Sequence, residues 1–207
     1  MDKKIIVAGI GPGNEKYITP AALEKIQSAK FLVGGIRALE TFANDKQVIF
    51  RITKDLDAAI NFISEKIAFG QVVVMVSGDP GYYSILDLLL KNFDAATIEV
   101  IPSISAMQLA FAKVSMAWHD ATLLSFHGRR PTDEQLKFEP KKILGLLTDA
   151  EFNSVTISEI LLKLGWAESS RLIICLRLSY DDEKIIETTL GNAVKMASVK
   201  HCVLIVS

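Results

Sequence analysis

Cysteine and histidine are scarce in this sequence, which has two cysteines and three histidines among 207 residues. Cys175 and Cys202 both lie inside apolar runs, which is typical of buried thiols. We therefore predict two buried thiols on adjacent strands rather than a disulfide or a metal-binding pair. No metal site and no nucleophilic triad is apparent in the sequence, so any chemistry is predicted to proceed without a protein-bound metal.

The sequence also lacks an excess of charge of either sign, because its formal net charge is −1. This balance argues against a general nucleic-acid binder, which usually carries a strong basic excess. No apolar stretch has the length needed to cross a bilayer. The apolar run Ile5–Ile10 is shorter than the apolar region of a signal peptide. We expect a cytoplasmic protein with no nucleic-acid or membrane partner.

The first half of the chain alternates between short apolar runs and segments with helical spacing. This alternation predicts an α/β fold with a mostly parallel sheet and right-handed crossovers. Thr19 is predicted to cap a helix that has Pro20 at its first position, where the missing N–H costs nothing. Strands are predicted at Lys4–Ile10, Phe31–Val33, Gln71–Val76 and Ile98–Ile101, and further helices at Leu56–Ala68, Ser84–Leu90 and Ser103–Lys113.

The pattern changes after Val114, where strands predominate. A polar turn at Tyr180–Glu183 between two strand runs indicates that part of this half is antiparallel. We predict two α/β lobes, over residues 1–114 and 120–207, with a mixed sheet in the second. Its strands are predicted at Ala121–Phe126, Ile143–Leu147, Arg171–Arg177, Ile185–Thr188 and Cys202–Val206, and its clearest helix at Ser154–Leu164.

A glycine cluster, Gly9-Ile10-Gly11-Pro12-Gly13, follows the first strand. The dinucleotide-binding pattern would need a glycine at position 14, which is Asn14, and an acidic residue after a second strand. A nucleotide-binding module therefore stays a weaker alternative. The three glycines serve either a tight turn or a backbone that a ligand must approach closely.

Two more loops follow strands, Ser77–Gly81 and Pro102–Met107. Ligands of parallel α/β sheets bind at the carboxyl ends of the strands, so all three loops are predicted to converge on one site. In the second loop Asp79 either caps a turn or takes part in that site. In the third loop Ser103 and Ser105 are predicted to present hydroxyls and N–H groups at the start of a helix.

In order and spacing these three loops resemble the motifs of the tetrapyrrole methylase family, and the resemblance covers essentially the whole chain. The segments Ser125–Arg129 and Leu178–Ile185 are similar to the branch that methylates C5 of a precorrin in cobalamin biosynthesis. The family implies two α/β lobes with a cleft between them, a homodimer, and S-adenosylmethionine as methyl donor with S-adenosylhomocysteine as product. It also implies that the lobe over 1–114 carries the substrate trough and the cofactor loops.

The resemblance also implies which residues bind. The cofactor contacts it implies are Gly78, Asp79, Pro80, Tyr83, Ser84, Ser105, Ala106, Leu147 and Thr148. The substrate contacts it implies are Gly9, Gly11, Pro12 and Gly13, with Arg37, Arg129 and Arg130 as partners for the many carboxylates of a precorrin. The sequence departs from many relatives at Asn14, where they have aspartate.

The sulfonium methyl group is already activated, so the expected task is alignment of donor and acceptor in a dry site. His127 is the candidate general base, and the alternative is that it ends a strand and hydrogen-bonds locally. The substrate is a precorrin or a cobalt-precorrin, and a separate C15-methylating, decarboxylating partner is possible. Other open hypotheses are another precorrin position, diphthine synthase, an rRNA methylase, and a catalytically idle partner subunit.

Overall fold

The computed structural model describes residues 4–207, so Met1 to Lys3 of the predicted first lobe lie outside the described residues. The chain divides into two units, one ending at Ser105 and the other running from Ala106 to Ser207. No helix within residues 4–207 is long and apolar enough to span a membrane.

The first unit contains a five-stranded sheet in the order β3-β2-β4-β1-β5, and all its strand pairs are parallel. The strands are β1 Ile5–Gly9, β2 Phe31–Gly34, β3 Val48–Arg51, β4 Val72–Val76 and β5 Ile98–Ile101. The helices are α1 Pro20–Ser28, α2 Ile36–Phe42, α3 Leu56–Lys66 and α4 Leu86–Asn92, with short 3-10 turns at Glu15–Tyr17, Ile67–Phe69 and Ala95–Thr97. This confirms the predicted parallel α/β fold.

Side chains of β1 alternate between the two faces of this sheet, and helices cover both faces. Ile6 packs in a core that includes Ile26 of α1, whereas Val7 packs in a core that includes Ile63 of α3. Burial on both faces explains why β1 and β4 are apolar at every position. The predicted cap of α1 is also present, since the Thr19 hydroxyl accepts the Ala22 N–H at 3.2 Å.

The second unit contains a mixed five-stranded sheet in the order β6-β7-β10-β8-β9. Strands β6 and β7 are parallel and the other pairs are antiparallel, as the polar turn predicts. The strands are β6 Thr122–Ser125, β7 Leu144–Leu147, β8 Arg171–Leu176, β9 Lys184–Thr189 and β10 Cys202–Val206. The helices are α5 Ala106–Lys113, α6 Asp133–Leu136, α7 Ser154–Lys163 and α8 Leu190–Ala193.

Helix α5 belongs to the second unit, so the chain divides earlier than the predicted boundary at 114. A Cβ atom on Gly145 of β7 would lie 2.6 Å from Met107 Sδ and 2.9 Å from Phe111 Cε2 of α5. The glycine lets α5 pack directly on this face of the sheet, while α7 covers the other face through Ile157. Sequence periodicity does not show which sheet a helix will cover, so the boundary was predicted too late.

Both cysteines are free and buried on adjacent strands, as predicted. Cys175 pairs with Val203 and Cys202 pairs with Leu176, so the two thiols point to opposite faces of the sheet and cannot form a disulfide. Burial raises the pKa of the Cys175 thiol to about 12 and that of the Cys202 thiol to about 11. Neither thiol is poised for nucleophilic chemistry.

Two predicted helix starts differ from the observed ones, and both differences affect the candidate site. Helix α4 begins at Leu86 rather than Ser84, because the Ser84 hydroxyl accepts the Leu86 N–H at 3.1 Å. Helix α5 begins at Ala106 rather than Ser103, and the Ser103 N–H instead donates to the Asp79 carboxylate of the first unit. The short elements α2, β3, α6 and α8 were not predicted.

Candidate functional site

Three loops of the first unit meet at the carboxyl edge of its sheet. Strands β4, β1 and β5 are neighbours, so the segments that follow them leave the sheet side by side. Ile10 N–H donates to Val76 O at 2.9 Å, and Gly78 N–H donates to Gly11 O at 2.8 Å. The first two loops are therefore hydrogen-bonded beyond the ends of their strands, which confirms the predicted convergence.

Gly9 lies at the point where these loops approach most closely. A Cβ atom at Gly9 would lie 2.7 Å from Ser103 Cβ, 2.8 Å from Gly78 O and 2.8 Å from Pro80 Cδ. Only glycine permits this approach, because the contacts come from the loops after both β4 and β5. Gly9 thus shapes the site through its missing side chain.

Gly11 and Gly78 both have positive φ angles, of 76° and 74°, and Gly13 has a φ of 148°. L-residues with a side chain rarely adopt these angles, so the glycines are required by the loop geometry. Asn14, where many relatives have aspartate, caps the following 3-10 turn by accepting the Lys16 N–H at 2.9 Å. A carboxylate would cap this turn equally well, so the cap accounts for either residue at position 14.

The Asp79 carboxylate joins two of the loops. Its Oδ1 accepts the Gly81 N–H at 2.8 Å and its Oδ2 accepts the Ser103 N–H at 2.9 Å. The first bond is the turn cap that the sequence allowed, and the second reaches across to the loop after β5. The carboxylate therefore sets the position of the Ser103 segment relative to the loop after β4.

The hydroxyl of Ser84 is used within its own loop. It donates to the Pro80 carbonyl and accepts the Leu86 N–H, so it caps the start of α4. Tyr83 has a φ of 52° and is 39% exposed. Ser105 is buried at the end of the first unit, and Ala106 begins α5.

Tyr82 carries a buried hydroxyl in the middle of the loop after β4. This hydroxyl has no hydrogen-bond partner within residues 4–207. Burial, with a smaller contribution from Tyr83, raises the pKa of the Tyr82 hydroxyl, so the group stays protonated at neutral pH. The Tyr82 and Tyr83 rings meet edge to face, with their centroids 4.8 Å apart.

We expect Tyr82→Phe to keep the free energy of unfolding within about 1 kcal/mol or to raise it slightly, because no bond within the described chain is lost. Denaturant unfolding of both proteins checks this. A clear loss of stability in the variant would mean that the hydroxyl is satisfied in the free protein.

A second set of predicted residues lies at the ends of β6 and β7 in the second unit. These strands are parallel neighbours, so their carboxyl ends also lie side by side. His127 is exposed, and its N–H donates to the buried Ser125 Oγ at 3.1 Å. Gly128 turns the chain with a φ of 66°. The local hydrogen bond therefore uses the backbone of His127 and leaves its imidazole at the surface.

The two arginines after Gly128 are both exposed. Arg130 Nη2 lies 2.6 Å from Asp133 Oδ1 in an exposed ion pair at the start of α6. Arg37, the third predicted cation, lies in the first turn of α2 at the carboxyl end of β2, beside β4. Arg37 thus joins the strand-end edge of the first unit, while Arg129 and Arg130 belong to the second unit.

Thr148 follows β7 and is bonded tightly to β10. Its hydroxyl donates to the Cys202 carbonyl at 2.9 Å and accepts the Cys202 N–H at 2.8 Å, and its own N–H donates to the same carbonyl. The carbonyl of Leu147 accepts the Phe126 N–H at 2.8 Å. The Thr148 hydroxyl is therefore a structural tie between β7 and β10.

Sequence reasoning missed Asp149, which follows Thr148. Its carboxylate accepts the N–H groups of Gly128 at 3.0 Å, Glu151 at 2.9 Å and Phe152 at 2.7 Å. Burial alone raises the pKa of this carboxyl, but the three donors and nearby His127 outweigh it, so the pKa lies below its usual range. An acidic residue two positions after a predicted strand was the available signal.

Within residues 4–207, no three His, Cys, Asp or Glu side chains are grouped closely enough to hold a metal ion. The polar groups at the strand ends are mostly backbone N–H and carbonyl groups, supported by carboxylate and hydroxyl ties. Such an arrangement suits an organic ligand held by shape and hydrogen bonds.

The sequence model of the family described as Tetrapyrrole (Corrin/Porphyrin) Methylases matches residues 4–194. This chain belongs to the tetrapyrrole methylase family. The match includes all three loops of the first unit and the β6 and β7 strand ends of the second.

Relatives within the tetrapyrrole methylases indicate which branch of the family this chain is similar to. The chain is 34% identical to the cobalt-precorrin-7 C(5)-methyltransferase of Salmonella typhimurium, over 87% of this chain and 88% of that protein. It is 30% identical to the probable cobalt-precorrin-7 C(5)-methyltransferase of Methanocaldococcus jannaschii, over 87% of each. Its fold is similar to that of the precorrin-6Y methylase of Archaeoglobus fulgidus, with a TM-score of 0.74, 23% identity, and coverage of 99% of this chain and 97% of that one.

Proposed function

We propose that this chain is an S-adenosylmethionine-dependent methyltransferase that methylates C5 of a precorrin or cobalt-precorrin during cobalamin biosynthesis. The observation that carries this proposal is the similarity to C5-methyltransferases at 30–34% identity over 87% of the chain. The converging strand-end loops support it, because they expose backbone groups where parallel α/β sheets bind ligands.

The loops of the first unit are the proposed cofactor site. Bound S-adenosylmethionine supplies a methyl group that is already activated for transfer. The contribution of the chain is to hold donor and acceptor in line and to exclude water. Gly9 allows the close approach of the loops, and Asp79 holds two of them in register. The buried Tyr82 hydroxyl offers a donor beside them that no group of the described chain uses.

The residues that we propose to contact each ligand are those that the family resemblance implies. The hydrogen bonds in the structure change the proposed roles of Asp79 and Ser84. Gly78, Pro80 and Tyr83 are proposed to contact the cofactor, whereas Asp79 and Ser84 act through the loop shapes that they stabilise. Further proposed cofactor contacts are Ser105, Ala106, Leu147 and the backbone of Thr148. The proposed substrate contacts are Gly9, Gly11, Pro12, Gly13, Arg37, Arg129 and Arg130.

The loop after β6 is the proposed contact for the substrate in the second unit. Arg129 is exposed beside Gly128, and a guanidinium can bind a precorrin carboxylate through two parallel hydrogen bonds. His127 is the proposed general base for the proton that leaves the methylated carbon. Its exposed imidazole is available for that role.

Arg129→Ala is expected to raise the KM for the precorrin about tenfold through loss of a charge-assisted contact. The affinity for S-adenosylmethionine should stay the same. Steady-state kinetics and calorimetry measure the two quantities, with Lys195→Ala as a control that removes one exposed positive charge from the same unit. An unchanged KM would remove Arg129 from the substrate site.

A transfer assay with labelled S-adenosylmethionine and a panel of precorrins tests the proposed function. Label should pass to a precorrin-7-type substrate, with or without cobalt, and not to uroporphyrinogen III. A thermal-shift series distinguishes the alternative of a nucleotide-binding module, since only ligands that bind the native state raise its melting temperature. S-adenosylmethionine and S-adenosylhomocysteine should stabilise the protein, whereas NAD and ATP should not.

The remaining features of the proposal concern the cellular setting. We propose a cytoplasmic homodimer, and a separate partner that carries out C15 methylation and decarboxylation. The family resemblance supports the dimer. Size-exclusion chromatography with light scattering tests it.

A further inference from the structure

The loop after β6 and the loop after β7 are joined by one side chain, Asp149. Two backbone donors of its own turn, Glu151 and Phe152, bond to Oδ1, while the Gly128 N–H bonds to Oδ2 at 3.0 Å. The two oxygens therefore serve different purposes. One closes the turn that leads into α7, and the other reaches the segment after β6.

The segment held by Oδ2 is short and lies at the surface. Arg129 N–H reaches Phe126 O only at 3.5 Å, and His127 through Arg130 are all exposed. Gly128 has a φ of 66°, and the space where a side chain would begin is open to a distance of 4 Å, so packing does not hold it. The hydrogen bond to a carboxylate is stronger than one to a neutral acceptor. It lies between the bond from His127 N–H to Ser125 Oγ and the exposed Arg130–Asp133 ion pair.

The opposite side of Asp149 is firmly anchored. Thr148 is bonded to the backbone of Cys202 of β10 by three hydrogen bonds, and Asp149 N–H donates to Phe152 O at 3.0 Å. A rigid acceptor therefore faces a donor in an exposed loop. Movement of the His127–Arg129 segment is limited by a group that is itself fixed to the sheet.

We infer that Asp149 is a positioning residue, which holds the His127–Arg129 segment in place for the precorrin through its bond to the Gly128 N–H. This inference rests on the proposed function of that segment. The residue acts through the segment and need not touch the substrate.

Asp149→Asn separates the two roles of the carboxylate. The amide oxygen can take the place of Oδ1 and keep the bonds to Glu151 and Phe152. The amide NH₂ then faces the Gly128 N–H, and two donors cannot bond. The variant should keep the local turn and lose only the tie to the loop after β6. Asp149→Ala should lose both.

The test uses the full chain, with Glu159→Gln as a control that removes one exposed carboxylate of α7 from the same unit. We expect Asp149→Asn to lower kcat/KM for the precorrin by on the order of tenfold to a hundredfold, as for a misplaced binding or catalytic group. The affinity for S-adenosylmethionine should stay within about twofold of wild type, because the loops of the first unit are unchanged and Thr148, beside Asp149, stays bonded to Cys202. The control should match wild type in both measurements.

Amide hydrogen exchange provides a readout that does not depend on activity. In Asp149→Asn the Gly128 N–H should lose protection, while the Phe152 N–H stays protected, which also shows that the variant is folded. Unchanged kcat/KM, or unchanged Gly128 protection, overturns the inference and leaves the proposed function standing. A wild-type protein that transfers no methyl group to any precorrin overturns the proposed function and the inference together.

Discussion

Gly9→Ala is expected to destabilise the protein by about 3 kcal/mol, the upper part of the range for overpacking a well-packed site. The added Cβ atom would lie within 2.8 Å of Gly78 O and Pro80 Cδ and 2.7 Å from Ser103 Cβ. Because one of these atoms is backbone and another belongs to a proline ring, the loops themselves must move. Affinity for S-adenosylmethionine should fall more than tenfold if those loops form the cofactor site. Denaturant unfolding and calorimetry measure the two effects.

Gly35→Ala is the matched control for this substitution. Gly9 is the last residue of β1 and Gly35 directly follows β2 of the same sheet, but the Cβ position of Gly35 is clear of other described residues to 4 Å and its φ is −68°. Its stability and affinity should remain close to wild type. If Gly9→Ala behaved like Gly35→Ala, the close approach of the three loops would have no role in binding.

Asp79→Ala has the second largest expected effect. Two backbone N–H groups, of Gly81 and Ser103, lose a charged acceptor, and each such bond contributes about 1.5–3 kcal/mol. The loop after β5 is then free to move away from the loop after β4. We expect calorimetry to show a loss of at least tenfold in affinity for S-adenosylmethionine.

The control for Asp79 is Asp94→Ala. Asp94 is an exposed residue of the same unit whose carboxylate accepts the backbone N–H of Ala96 at 2.9 Å. Its replacement removes the same charge and a cap of the same kind. If Asp79→Ala bound the cofactor as well as this control, Asp79 would be only a turn residue.

The parallel sheet of the first unit could be predicted because its central strands β1, β2 and β4 are buried on both faces. Burial on both faces makes β1 and β4 apolar throughout. The convergence of the loops followed from the same prediction, since parallel strands end at one edge. The glycines in these loops then indicated where two loop backbones approach each other closely.

Other parts of the fold had no comparable signal. Strand β3 lies at the edge of the sheet and is mostly exposed, so Val48–Arg51 has no clear pattern of burial. The packing of α5 on β7 depends on Gly145, which lies far from α5 in the sequence. Sequence spacing cannot show such a contact.

The roles of polar side chains were the hardest to predict. The hydroxyl groups of Ser84 and Thr148 are used for capping and for a strand tie, and these bonds depend on atomic positions. Asp149 was only weakly indicated by its position after a strand. Its role became clear when the structure showed that its carboxylate accepts the Gly128 N–H. The strand-end loops could be located from the sequence, whereas the structure showed which of their side chains are used to shape the loops.

The position of methylation tests the central proposal most directly. The protein is incubated with a precorrin-7-type substrate and S-adenosylmethionine labelled with ¹³C in its methyl group, and the product is examined by NMR. We predict a single new ¹³C-methyl signal correlated with C5 of the macrocycle. A methyl signal at another carbon, or transfer to another class of substrate, would contradict the proposed function.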